Sequence, residues 1–208
     1  MEGDGSRPGQ QEVVGRREAV HELLEEVRGG SAEAFDALFE LLYEELQALA
    51  HRQRVAWRGN PTLNTTALVH EVYLKLGGRS DPEWENRAHF LAAASRAIRH
   101  ILINYAREQT RLKRGDGKPL FSLDQIKDLP GEPFVLTEEH VTSLLTLNRA
   151  LNRLEQTNAR QSRIVECRFF GDMTIEETAA ALGISAASVS RGWKYAQVWL
   201  YREMAREP

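Results

Sequence analysis

Hydrophobic residues recur at three- and four-residue steps along most of this chain, which is the spacing of one face of an α-helix. The first such stretch predicts a helix from about Glu18 to Arg28, ended by Gly29 and Gly30. Residues 1–16 are rich in glycine and polar side chains and are expected to be disordered. No run of alternating apolar and polar residues suggests a β-strand, so the pattern predicts an all-α protein.

Helical spacing disappears over one long stretch rich in glycine and proline. This stretch, residues 114–137, has the composition of a linker, and helical spacing resumes beyond it. The pattern therefore predicts two small helical domains, 17–113 and 138–206, joined by a flexible linker and preceded by the tail 1–16.

Two short helices are expected near the carboxyl end. Thr174 and Glu177 have the spacing of a capping box, Gly183 suits a left-handed helix end, and Ser185 can cap the next helix. This arrangement predicts a helix-turn-helix, although any small helical hairpin could share these signals. The residues expected to face DNA are Ser185, Ser188, Ser190, Arg191 and Lys194.

A long helix from about Glu85 to Arg111 has two contrasting faces. At about 100° per residue, its apolar face comprises Phe90, Leu91, Ala94, Ile98, Ile101, Leu102 and Tyr105. The opposite face forms a stripe of about 27 Å that matches a nucleic-acid backbone in charge and reach. This polar stripe consists of His89, Arg96, Arg99, His100 and Arg107.

Three residues near the start of this helix are candidates for either DNA contact or core packing. Arg87 is a further candidate DNA contact because of its charge. Trp84 lies before the helix and could either stack on an unpaired base or pack in the core. Core packing is favoured for Phe90 because of its position on the apolar face.

Charge is distributed unevenly along the chain. The formal net charge is -3, which argues against coating nucleic acid by bulk attraction. Residues 1–50 contain twelve acidic and four basic side chains, whereas residues 87–114 contain seven basic side chains and only Glu108 as an acid. An acidic front and a basic middle suit a protein that bridges two partners, and a solvated charge run is the simpler alternative.

Catalysis is disfavoured by the residues that could support it. The single cysteine, Cys167, excludes an internal disulfide and sites built on several cysteines, and it fits a reducing cytoplasm. The six histidines lack the spacing of a zinc-binding helix, and no glycine-rich phosphate loop is present. We expect no cofactor, no metal and no catalytic residues, and neither secretion nor membrane insertion. A metal-dependent or hydrolytic enzyme is the alternative from another class.

Three stretches carry a resemblance to a known family. They are 66–76 (TALVHEVYLKL), 84–91 (WENRAHFL) and 174–193. Through them the chain resembles the extracytoplasmic-function (ECF) sigma factors over about residues 18–203. The resemblance implies two helical domains joined by a flexible linker.

The same resemblance implies partners and roles. The helix at 66–76 would dock on core RNA polymerase, with His70, Glu71 and Lys75 as contacts. The long basic helix would hold open the minus-ten element of promoter DNA, and the last helix would enter the minus-thirty-five element. An anti-sigma factor is a further candidate partner.

The chain departs from the family pattern at two places. Asn104 and Tyr105 stand where many relatives have an acid and a histidine, and few bases surround Ser190, Gly192 and Tyr195. The second departure predicts weak contact with upstream DNA. The alternative within DNA binding is a helix-turn-helix regulator of the response-regulator output type, which is disfavoured because the front half lacks an alternating βα pattern.

Overall fold

The computed structural model describes residues 8–56, 65–78, 84–113 and 138–206, and all regular elements in these ranges are helical. The all-α prediction is therefore confirmed. The helices are α1 (Pro8–Arg28), α2 (Ala32–Leu41), α3 (Tyr43–Ala56), α4 (Thr65–Gly77), α5 (Arg87–Lys113), α6 (Glu138–Val165), α7 (Ile175–Leu182) and α8 (Ala186–Met204).

Helix α1 begins ten residues earlier than the sequence pattern indicated. It starts at Pro8, a residue favoured in the first turn because its missing amide hydrogen has no helical partner there. Arg16 anchors this part of the helix by donating to the carbonyl oxygen of Leu41 at 2.8 Å and lying 3.6 Å from Glu45. The prediction of a disordered tail is therefore wrong for residues 8–16, and residues 1–7 lie outside the described ranges.

Helices α2 and α3 are separated by a single non-helical residue, Leu42. Ser31 caps α2 by accepting a hydrogen bond from the amide of Ala34, which is the usual role of a serine just before a helix. Leu42, with φ −102° and ψ 6°, ends α2, and α3 begins at the next residue, Tyr43. The tyrosine hydroxyl of Tyr73 in α4 donates to Asp36 in α2 at 2.7 Å and holds these helices together.

The carboxyl-terminal half is built around α6 and α8. Helix α6 is kinked at Asn158, whose side chain accepts from the amide of Gln161 and restarts the helix as a cap. A π-helical turn, Glu166–Phe170, follows α6 and ends at Gly171. Helices α7 and α8 complete this half.

The two halves are packed against each other. Helix α5 contacts α6, the π-helical turn and α7, and buried apolar residues of both halves form one continuous core. The division into two domains stays a prediction. The proposed linker, 114–137, lies outside the described residues.

Candidate nucleic-acid interface

Arg99 lies at the centre of the contact between the halves. Only 2% of its side chain is exposed, and it donates to Glu166 at 2.5 Å, to Asn148 at 3.0 Å and to Asn152 at 2.8 Å. Glu166 is buried beside it in the π-helical turn. The sequence pattern placed Arg99 on the polar stripe as a candidate DNA contact. In this structure the carboxyl-terminal half covers that face of α5, so the Arg99 side chain is buried.

Two other arginines of α5 also pair with acids of the carboxyl-terminal half. Arg96 lies 3.2 Å from the second oxygen of Glu166. Arg87 bridges Glu45 of its own half at 2.5 Å and Glu177 of α7 at 3.2 Å. Three of the arginines expected to meet phosphates, Arg87, Arg96 and Arg99, therefore meet carboxylates.

The remaining residues of the polar stripe differ in their surroundings. His89 is half-buried and lies next to Glu85, whereas Arg107 is exposed near the other end of α5. Desolvation, followed by the positive charges of Lys75 and Arg99, lowers the pKa of His100. His100 is therefore neutral at pH 7 and does not add a permanent charge to the stripe.

Trp84 and Phe90 both belong to the core. Phe90 is fully buried, and its ring meets the ring of Trp84 edge-on with centroids 5.1 Å apart. Phe39 contributes a second edge-on contact to Phe90. The core interpretation of Phe90 is confirmed. Trp84 is buried in this arrangement and presents no open ring face for a base.

One face of α4 points to solvent. His70 and Lys75 are exposed, Glu71 is half-buried, and Leu74 leaves 54% of its side chain in solvent. The opposite face packs into the core through Leu68, Val69, Val72 and Leu76. The exposed face thus combines charged side chains with an apolar side chain that is more than half exposed.

The turn between α7 and α8 follows the sequence prediction closely. Thr174 accepts from the amide of Glu177, whose carboxylate accepts from the amide of Thr174, so the capping box is confirmed. Gly183 ends α7 with φ 62°, and Ser185 caps α8. Burial raises the pKa of Glu177, but hydrogen bonds from Thr174 and Arg87 outweigh this effect and lower it overall.

The first turns of α8 present the candidate DNA-facing residues. Arg191 and Lys194 are exposed, and Ser188 and Ser190 are half-buried. Val189 is fully buried behind them and fixes the orientation of the helix. Gly192 is also buried, and a Cβ atom there would lie 2.6 Å from the side chain of Ile164, so the glycine permits close crossing of α8 over the end of α6.

The capping box makes a measurable contribution to stability. Replacing Thr174 with alanine removes the acceptor for the Glu177 amide, and we expect the free energy of unfolding to fall by about 1 kcal/mol in urea titrations. Thr142→Ala, at an exposed position of α6, is the matched control. It should change the free energy of unfolding by less than about 0.5 kcal/mol. Equal effects of the two substitutions would contradict a stabilising cap.

The sequence pattern missed the acceptors of the arginines, above all Glu166. This carboxylate interrupts the apolar run Ile164, Val165, Cys167, and an acid in such a place signals a buried partner of opposite charge. Asn148 and Asn152 gave no comparable signal, since polar residues on a helix are commonly solvated.

Cys167 lies at the boundary between the halves. It lines a cavity of about 220 Å³ together with Trp84 and Arg96 of the first half and Leu182 of the second. Burial raises the pKa of its thiol to about 12. The thiol is therefore protonated and unreactive in this arrangement.

Two further observations concern other classes of site. Within the described residues, no three histidine, cysteine, aspartate or glutamate side chains gather as they would around a metal ion. Among the described helices, none has both the length and the apolar character needed to span a bilayer.

Comparison with known proteins identifies the family. A search of curated proteins found no match. The model of the family described as ECF sigma factor matches residues 17–206, which include both helical halves and the turn between α7 and α8. The chain therefore belongs to the ECF sigma factor family, whose members are non-enzymatic factors of transcription initiation that bind RNA polymerase and DNA.

Proposed function

We propose that this protein binds core RNA polymerase and directs it to a specific set of promoters. The family match across residues 17–206 is the observation that carries this proposal, because it includes both halves of the chain. An anti-sigma factor stays a predicted partner.

The exposed face of α4 is the proposed polymerase contact. Its charged residues, Glu71 and Lys75, flank the exposed side chain of Leu74. An apolar side chain surrounded by charge is typical of a protein interface, where the apolar group is desolvated and the charges set the orientation. His70, which precedes Glu71 in α4, is also exposed and belongs to the same proposed contact.

The polar face of α5 and the start of α8 are the proposed promoter contacts. Arg87, Arg96 and Arg99 would bind phosphates near the minus-ten element, with His89, His100 and Arg107 along the same stripe. Burial of Trp84 favours a structural role for this ring over base stacking. At the minus-thirty-five element, Arg191 and Lys194 supply the charge, while Ser185, Ser188 and Ser190 can reach phosphates or base edges.

Co-purification with bacterial core RNA polymerase tests the first part of the proposal. The wild-type chain should remain bound through gel filtration, and the double variant Glu71→Lys/Lys75→Glu should lose most of this binding. Glu26→Lys in exposed α1 is the matched control and should bind normally. Failure of the wild-type chain to bind core polymerase would contradict the proposed function, and normal binding of the double variant would exclude α4 as the contact.

The contribution of α8 can be measured with a randomised promoter library. Arg191→Ala should relax the preference for the upstream element by about 1–3 kcal/mol per contacted base, because Arg191 lies in the first turns of α8. Arg202→Ala, three turns further along the same helix, should leave the preference unchanged. Equal effects would show that the amino-terminal half of α8 does not read the sequence.

A further inference from the structure

We infer that the carboxyl-terminal half of the free protein is an intramolecular inhibitor, which occupies the arginines of α5 through Glu166 and Glu177. This inference rests on the proposed promoter-binding role of those arginines. It assigns to Glu166 the role of a phosphate mimic that must be displaced before α5 can meet DNA.

The contact is formed by opposite charges contributed by the two halves. Among the described residues, Glu166, Asp172 and Glu177 of the carboxyl-terminal half pair with Arg52, Arg87, Arg96 and Arg99 of the first half. Both oxygens of Glu166 are used, one by Arg96 and one by Arg99. A carboxylate held by two arginines reproduces the charge and geometry with which arginines bind a phosphate.

Burial makes this contact exclusive. Arg99 is 2% exposed and Glu166 is 5% exposed, so neither can bind another partner while the halves are together. The side chains of Asn148 and Asn152 accept two further hydrogen bonds from the same guanidinium group. Arg99 therefore cannot reach a phosphate unless α6 and the π-helical turn move away from α5.

The backbone of the carboxyl-terminal half also lies in close contact with the first half near these ion pairs. Gln53 donates to the carbonyl oxygen of Phe169 at 2.7 Å. Gly171 lies so near to α5 that a Cβ atom would be 2.2 Å from the hydroxyl of Ser95. The two halves are thus docked through a defined surface, and the part of the chain most involved is the segment from Glu166 to Asp172.

Conservative amide substitutions can weaken this contact without removing side-chain volume. Glu166→Gln removes the charge that pairs with Arg96 and Arg99. Glu177→Gln removes the ion pair with Arg87 but preserves the capping box, since glutamine also serves at that position. The double variant Glu166→Gln/Glu177→Gln retains all arginines, and Glu155→Gln on exposed α6 is the matched control.

Modification of Cys167 by 5,5′-dithiobis(2-nitrobenzoate) reports on separation of the halves. Cys167 is the single cysteine of the chain and is buried at their boundary. We expect slow modification of the wild-type protein and of Glu155→Gln, and at least tenfold faster modification of the double variant. Far-UV circular dichroism establishes whether each variant is folded. A folded double variant that is modified at the wild-type rate would overturn the inference.

Binding of a fluorescein-labelled pool of random single-stranded 12-mers tests the inhibitory role. The free double variant should bind this pool at least tenfold more tightly than wild type, with the gain abolished by adding Arg96→Ala and Arg99→Ala. Faster modification of Cys167 without tighter binding would also overturn the inference. Failure of the proposed function would be seen separately, as loss of core-polymerase binding by the wild-type chain.

If the double variant unfolds, the dependence on salt provides a second test, with proteins that keep both Glu166 and Glu177. Raising the salt concentration screens the exposed ion pair between Arg52 and Asp172 and the partly exposed pair between Arg87 and Glu177. Modification of Cys167 should be faster in Asp172→Asn than in Glu155→Gln at low salt, and it should accelerate less steeply with salt, because one of the screened ion pairs is already absent. Identical rates for the two folded proteins at all salt concentrations would contradict a closed form held by charge.

Discussion

Replacing both Arg96 and Arg99 with alanine is expected to reduce promoter opening by the reconstituted holoenzyme by at least about a hundredfold. Each charge-assisted hydrogen bond to a phosphate contributes about 1.5–3 kcal/mol, and two such contacts would be lost. Removing them should also lower the slope of log affinity against log salt concentration by about one for each charge. Permanganate footprinting of the opened DNA strands measures the effect.

The matched control for this double variant is an arginine of α6. Arg160→Ala removes an exposed charge from α6 that is not among the proposed DNA contacts, and this variant should open promoters normally. Both variants should still bind core polymerase, because the proposed contact with polymerase lies on α4. Normal promoter opening by the Arg96 and Arg99 double variant at raised salt would show that these arginines serve only the contact between the halves.

Replacing Phe90 with alanine is expected to lower the free energy of unfolding by about 3–5 kcal/mol, because the substitution leaves a cavity in a closely packed core. The Phe90 ring is fully buried between Trp84 and Phe39. Urea unfolding followed by circular dichroism measures the loss.

Tyr201→Ala is the matched aromatic control for this stability measurement. Its side chain is 78% exposed, so its removal should change the free energy of unfolding by less than about 0.5 kcal/mol. If Phe90→Ala were as stable as Tyr201→Ala, Phe90 would not be part of the core, and base stacking by the aromatic pair would become the better interpretation.

Local features of the fold could be predicted because each depends on neighbours in the sequence. The capping box at Thr174, the left-handed Gly183 and the cap at Ser31 follow from side-chain chemistry within three or four residues. The core face of α5 follows from helical periodicity, which identifies Phe90 and Ile98 as buried without reference to any other helix.

The surroundings of the arginines could not be predicted in this way. Helical periodicity places Arg99 opposite the apolar face of α5. It carries no information on the carboxyl-terminal half, which covers that face through Glu166, 67 residues further along the chain. The start of α1 was missed for a different reason. Gly15 and the polar residues around it resemble a disordered tail, and the contact that holds this part of the helix is made by Arg16 with residues of α2 and α3.

The closed arrangement predicts weak DNA binding by the free chain. The net charge of -3 disfavours approach to DNA, and the arginines of α5 are already paired. Binding to polymerase can offset the loss of the contacts between the halves, because two separated halves can each gain contacts on a larger partner. Promoter recognition would then be restricted to the polymerase-bound state.

Mapping of transcription start sites tests the central claim most directly. Core polymerase with and without the chain is supplied with fragmented genomic DNA from the source organism, and the 5′ ends of the transcripts are sequenced. We predict a discrete set of starts that requires the chain and shares two upstream elements at a fixed spacing. Identical start sites in the presence and absence of the chain, with core polymerase active in both reactions, would contradict its function as a promoter-directing sigma factor.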